Sequence, residues 1–260
     1  MFNLSLWTLA LESLAVFAVA GWLLSLLIRN VSIVDSMWSL MFLINTGVYA
    51  YAGEGGPRAM LVTLLVAIWS LRLAGYITWR NWGDGEDYRY QRIRRNNSPN
   101  FRFKSLYIVF GLQAGLAWII SLPLLVAVTG TTPVGFLDGV GVILWMTGFA
   151  FESVGDLQLA QFRAKPVNQG KVLRTGLWRL TRHPNYFGDF CVWWGFYLIA
   201  LSAGGWWSIV APLLMSFLLL KVSGVAMLER DIGDRRPGYA DYVATTNAFF
   251  PGLPAGRGDS

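Results

Sequence analysis

Residues 5–28 read SLWTLALESLAVFAVAGWLLSLLI, with Glu12 as the lone ionisable side chain. A helix needs about 20 apolar residues to cross a bilayer core roughly 30 Å thick. A chain in that core must satisfy its backbone internally, which a helix does. The run therefore reads as a membrane-spanning helix. It has no positive n-region and no small-residue cleavage site, so the expectation is a retained first helix, not a secretory signal. Six further apolar runs follow, at 33–53, 58–80, 105–128, 135–160, 186–204 and 205–229, the last two divided at Gly204-Gly205. The expected fold class is all-α: a polytopic membrane bundle of seven transmembrane helices forming one domain, 1–260.

Composition supports that reading. The chain is 55% hydrophobic and 14% charged, with 13 tryptophans, whereas soluble domains carry about 25% charged residues. The one cysteine, Cys191, makes no intramolecular disulfide or thiolate cluster. The one histidine, His183, argues against a zinc or di-iron centre, so no metal is expected. The net charge of +6 fits cytoplasmic loops of a membrane protein. No basic face with interleaved aromatics stands apart from those loops, so no nucleic-acid partner is expected.

Charge also sets orientation. Segment 80–104 carries Arg80, Arg89, Arg92, Arg94, Arg95, Arg102 and Lys104, and segment 161–183 carries Arg163, Lys165, Lys171, Arg174, Arg179 and Arg182. Arg230, Arg235, Arg236 and Arg257 follow, while the opposite loops hold Arg58 alone. The positive-inside rule then puts the N-terminus outside and the C-terminus in the cytoplasm, as expected for a bacterial inner-membrane protein. Its expected partners are membrane lipids and a hydrophobic small molecule, with no obligatory protein partner.

Ionisable groups within spans are costly and mark function by default. Here they are Glu12, Asp35, Arg72, Glu152, Asp156, Asp189, Lys221 and Glu229. Salt bridging or snorkelling accounts for Glu12, Lys221 and Arg58. Asp156, Asp189 and Glu229 face a segment rich in cations and need more. A phosphate-bearing cofactor explains both signs: Arg163, Lys171, Arg174, Arg179 and Arg182 neutralise phosphates, while the acids and Asn185 hold ribose hydroxyls or a carboxamide. The plainer alternative is that the cations only meet anionic headgroups. No Gly-x-Gly-x-x-Gly follows a strand pattern, so any nucleotide must bind among helices.

Several motifs resemble the membrane steroid 5α-reductase family, in particular its bacterial branch. They are Gly155-Asp156-Leu157-Gln158, Phe162-Arg163, Gly176-Leu177-Trp178, Arg182-His183-Pro184-Asn185-Tyr186-Phe187-Gly188-Asp189, Glu229-Arg230-Asp231, Tyr239-Ala240-Asp241-Tyr242 and Phe249-Phe250-Pro251. The similarity is good over 150–252 and weak before it. It implies NADPH bound near the cytoplasmic face and hydride delivered to C5 of a 3-oxo-Δ4 steroid. The family's cofactor contacts fall on Asp156, Arg163, Lys171, Asn185, Asp189 and Glu229, and Arg174, Arg182, His183 and Tyr186 are counted in the same wall. Lys171 stands where the family has arginine, and Glu152 where the animal enzymes have asparagine. The glutamate and tyrosine that the family places on the 3-oxo group fall on Asp35 and Trp69, the expected catalytic pair. An indole donates a hydrogen bond but no transferable proton, so Asp35 is the expected acid, and burial favours its neutral form. Trp38, Tyr76 and Trp193 are the expected substrate contacts, with Tyr49 as another substitute hydroxyl.

Two rival readings remain at this stage. Arg182-His183-Pro184-Asn185-Tyr186 also resembles an element of S-adenosylmethionine-dependent membrane methyltransferases of the isoprenylcysteine and phospholipid type. A non-catalytic sterol-binding module is the third reading. Asp156 to Arg163 upstream, the basic segment and the early Asp35 favour reduction.

Overall fold

A computed structural model describes residues 2–222 and 238–253. Every regular element among them is helical. We number the helices α1 (Leu4–Ile28), α2 (Ile33–Ala52), α3 (Pro57–Arg80), α4 (Tyr88–Asn96), α5 (Phe101–Ile120), α6 (Leu122–Thr129), α7 (Phe136–Arg163), α8 (Pro184–Ser202), α9 (Trp206–Val222) and α10 (Tyr239–Thr245). Four of these, α1, α3, α5 and α7, are long and apolar enough to cross a membrane. The other expected spans differ for visible reasons. Helix α2 is 20 residues long but contains Asp35, Ser36, Ser39, Asn45 and Thr46. Helix α8 is 19 residues long and dense in aromatics. The expected 105–128 span is divided at Ser121, with Pro123 opening α6, since proline removes a backbone donor. The part of the 205–229 run beyond Val222, with Glu229, lies outside the described residues.

The chain divides into two compact units, residues 1–135 with 200–211, and residues 136–199 with 212–260. In the first, α2 packs against α1, α3, α5 and α6. Helix α1 shows why. Its buried residues, Leu6, Ala10, Leu14, Ala18, Gly21 and Ser25, form one stripe at three- and four-residue spacing, while Val16, Leu23, Leu24 and Leu27 stay exposed. A helix that is apolar all round, with one stripe buried, suits a lipid-facing position. Polar contacts then fix the packing. Ser39 Oγ donates to the Ser70 carbonyl at 2.9 Å, and the Tyr49 and Ser121 hydroxyls lie 2.8 Å apart. Trp7 and Trp118 stack at 3.6 Å. Arg58, expected to snorkel, is instead buried. Its guanidinium donates to the Thr132 and Pro133 carbonyls, both at 2.7 Å, and to Ser202 Oγ at 3.3 Å.

The second unit is built on a glycine seam. The buried residues of α7 are Asp138, Gly141, Trp145, Gly148, Glu152, Gly155 and Asp156, nearly a heptad repeat. Gly188 and Gly195 of α8 meet them backbone to backbone. A Cβ on Gly148 would lie 2.4 Å from the Gly188 carbonyl oxygen, and one on Gly195 2.7 Å from that of Gly141. Small residues at such an interface let two helices approach closely without a hydrophobic driving force.

Candidate functional site

In the second unit the seam ends where α8 begins. Asn185, in the first turn of α8, donates through Nδ2 to Asp156 Oδ1 at 3.2 Å. Asp156 is buried, as is Glu152 one turn earlier on α7. Seven residues beyond Asp156, on the same helical face, Arg163 ends α7 in an exposed position. Lys165, Lys171, Arg174 and Arg179 follow, all exposed. The connecting segment is tied to α7: Gln158 Oε1 accepts from the Leu177 amide at 3.0 Å, and the Trp178 indole donates to the Gly155 carbonyl at 3.0 Å. The result is a buried carboxylate bonded to a half-buried carboxamide, with a run of exposed cations on adjoining chain.

Arg182 and His183 stand apart from that cationic run. Arg182 is buried, and its Nη1 donates to the Thr246 carbonyl at 2.7 Å and the Val243 carbonyl at 3.2 Å. These carbonyls end α10, where a cation is favoured. The Arg182 amide donates to the Asn247 carbonyl at 2.9 Å. Thr181 Oγ1 donates to the Phe249 carbonyl at 2.8 Å, and the Tyr242 hydroxyl to the Trp178 carbonyl. Arg174 also reaches this segment, donating to the Gly238 carbonyl. His183 is buried and stacks on Tyr186 at 5.8 Å. Asp189 follows one turn of α8 after Asn185.

In the first unit Asp35 sits in a polar cluster, not in an apolar pocket. Arg89 Nη2 donates to Asp35 Oδ2 at 2.6 Å, and the Tyr90 hydroxyl to Asp35 Oδ1 at 2.6 Å. Gln113 Nε2 donates to the Tyr90 oxygen at 3.2 Å, and Arg89 Nε to Asp87 Oδ1 at 3.0 Å. Arg94 grips Glu86 with two hydrogen bonds, of 2.7 and 2.8 Å, while the Val31 amide donates to Glu86 at 3.0 Å. Burial works against the Arg89 charge, but Asp35 and Asp87 outweigh it and hold the guanidinium firmly protonated. Burial, then the Asp35 charge, push the Tyr90 phenol up, so it keeps its proton. Asp35 therefore accepts on both oxygens. A polar cavity of about 320 Å³ adjoins it, lined in part by Ser36, Thr78, Asn81, Trp82 and Asp87.

The other expected residues are placed as follows. Trp69 is fully buried, tilted against Phe42 at 5.8 Å. Trp38 meets Phe42 edge-on at 5.1 Å. Tyr76 lies beneath the Arg72 and Arg80 guanidinium groups at 5.4 and 5.7 Å. Trp193 belongs to the second unit, fully buried against Phe196. Sequence reading missed Arg89, Tyr90, Glu86, Arg94 and Gln113 as partners. The available signal was Asp87, whose side chain accepts from the Arg89 amide at 2.8 Å and caps α4.

The chain is 25% identical to an uncharacterized protein, C594.04c, of Schizosaccharomyces pombe, over 92% of this chain and 77% of the yeast protein. No solved structure matches it. The family described as "Protein of unknown function (DUF1295)" matches residues 21–246, so the match runs through both units, and the chain belongs to that family.

Proposed function

We propose that this protein is an NADPH-dependent membrane reductase of the steroid 5α-reductase kind, acting on the Δ4 bond of a 3-oxo-Δ4 steroid or a similar enone lipid. The family to which it belongs includes steroid 5α-reductase-like proteins. The observation that carries the reading is the bond from half-buried Asn185 to buried Asp156 with the exposed cations from Arg163 to Arg179. That donor set fits a phosphate-bearing dinucleotide: Arg163, Lys171, Arg174 and Arg179 supply charge-assisted bonds to phosphates, and Asn185 with Asp156 supplies amide and carboxylate partners for hydroxyl or carboxamide groups. Asp189 and Glu229 complete the proposed set, Arg182, His183 and Tyr186 supporting it from the segment that opens α8.

When bound, NADPH supplies the hydride. The chain's own task is to stabilise negative charge growing on the substrate carbonyl oxygen, which lowers the barrier only where the donor binds the transition state better than the ground state. In the Asp35 cluster the Tyr90 hydroxyl donates to Asp35 and accepts from Gln113, so it serves a substrate carbonyl where that oxygen displaces Asp35 as its acceptor. Asp35 then acts through Tyr90 and Arg89, and Trp69, Trp38 and Tyr76 shape apolar walls within the first unit, Trp193 being an apolar residue of the second. The same reading includes seven spans, with α2, α8 and the run beginning at α9 added to the four apolar helices, the N-terminus outside, the C-terminus cytoplasmic and a bacterial inner-membrane location.

The test is binding first. NADPH should raise the melting temperature of the detergent-purified protein, because a ligand of the native state at about 100 times its Kd adds about 2.7 kcal/mol. NADPH oxidation should then depend on an added enone steroid such as progesterone. A shift with S-adenosylmethionine but not NADPH overturns the reading in favour of a methyltransferase. Sterol binding without any NADPH response overturns it in favour of a binding module.

A further inference from the structure

The segment joining α3 to α5 sorts its cations by face. Arg89 and Arg94 are committed to acids, Arg89 to Asp35 and Asp87 and Arg94 to Glu86, and Tyr90 between them is only 6% exposed. Two acids of this segment, Glu86 and Asp87, are thus already bonded to its own arginines. Arg92 and Arg95 occupy the other face of α4, and Arg102 opens α5; all three are exposed. Exposed aromatics flank them at the ends of two apolar helices: Trp79 at 66%, Trp82 at 81% and Phe103 at 62%. The outward surface therefore combines net positive charge with amphipathic rings. A soluble acidic partner has no use for so much exposed indole, whereas tryptophan concentrates at the headgroup level of a bilayer.

We propose that the outward face of α4, with Arg102 and the flanking tryptophans, is a docking surface for anionic phospholipid headgroups. A phosphodiester accepts charge-assisted hydrogen bonds from clustered cations, and the excess negative charge of an anionic lipid is what the cluster selects, a selection that lysine also makes. The indoles rest among the glycerol and upper acyl atoms. Attraction of a cation to an anionic leaflet amounts to about a fivefold preference per arginine. The surface is separate from the proposed reductase chemistry, so it stands or falls independently of NADPH binding.

The test uses the full chain in nanodiscs made with equal phosphatidylglycerol and phosphatidylcholine. Native mass spectrometry counts the lipids retained after ejection. The expected result is enrichment of phosphatidylglycerol that falls about fivefold for each of Arg92→Gln, Arg95→Gln and Arg102→Gln, and that survives in the triple Arg→Lys variant. Circular dichroism checks that the variants keep their helicity. If the glutamine variants do not fold, the triple Arg→Lys variant still decides: loss of enrichment there overturns the proposal. Equal retention of the two lipids by the unaltered protein also overturns it, as does enrichment indifferent to the glutamine substitutions. Inorganic phosphate that displaces phosphatidylglycerol at millimolar concentration shows a free-anion site and overturns the lipid assignment.

Discussion

Asp35 and Arg89 are 54 positions apart, and their pairing changes what Asp35 can do. In the sequence it is an acid at the start of an apolar run, and the natural expectation is a neutral proton donor. In the structure it is a bonded carboxylate, so substituting it should cost stability as well as activity. Asp35→Asn removes one of the carboxylates that Arg89 binds and leaves Asp87, and we expect a loss of about 1–3 kcal/mol, read as a lower melting temperature without ligand. Tyr90→Phe keeps the ring and the packing. It should melt within about 1.5 kcal/mol of the parent yet lose most enone-dependent NADPH oxidation; full turnover in that variant removes Tyr90 as the donor. The neighbouring Glu86 gives a pH signature. Burial pulls its pKa up, but the Arg94 and Val31 hydrogen bonds and the Arg94 charge prevail, and the net direction is down from 4.5. A depressed folded pKa means that its stabilising effect is present above the unfolded value near 4.5 and lost as pH falls through the folded pKa. Melting temperature should therefore drop as pH is lowered below about 4.5, and Glu86→Gln should start lower at pH 7 and show a shallower decline.

Long, mainly apolar helices were legible in the sequence, and the short polar helix was not. Helices α1, α3 and α7 begin and end within a few residues of the expected runs, because a lipid-facing helix announces itself by uninterrupted apolarity. Helix α4 was hidden inside a segment read as a basic loop. Its one buried residue is Tyr90, flanked by the ion-paired Arg89 and Arg94, so no apolar stripe marks the helix. The Asp156–Asn185 pair was legible as two members of a motif, but its supporting seam was not, because glycine contributes no hydropathy. That seam makes a sharp prediction. Gly148→Ala and Gly188→Ala each place a Cβ within 2.5 Å of facing backbone atoms, which backbone cannot yield without parting α7 from α8. Each should cost about 1–3 kcal/mol or more. Gly139→Ala, on the same helix with nothing within 4 Å of its Cβ, should be neutral or stabilising by up to about 1 kcal/mol, since alanine favours helix. Thermal melts of the three variants separate the seam from a general intolerance of α7 to added methyl groups.

Within the second unit, the segment 238–253 returns to the start of α8 and is held there by backbone and ring contacts. The Gly252 amide donates to the Leu180 carbonyl at 3.0 Å, and Phe249 and Phe250 pack edge-on against Phe187 and Phe190. Arg182 is a buried cation among the described residues of that unit, and its guanidinium donates to the Val243 and Thr246 carbonyls. Two roles for Arg182 make different predictions. An arginine reserved for a cofactor phosphate is dispensable to the ligand-free protein; an arginine that caps α10 is not. We therefore expect Arg182→Gln to lower the melting temperature in the absence of any nucleotide, by about 2–3 kcal/mol for charge-assisted bonds lost in a buried setting. Limited proteolysis should cut faster between residues 238 and 253. Arg179→Gln, three residues earlier and exposed, should leave both the ligand-free melt and the cleavage rate unchanged, and weaken only the NADPH-dependent shift. If Arg182→Gln instead melts with the parent protein and loses only the response to NADPH, then Arg182 is a cofactor ligand and its capping of α10 is incidental.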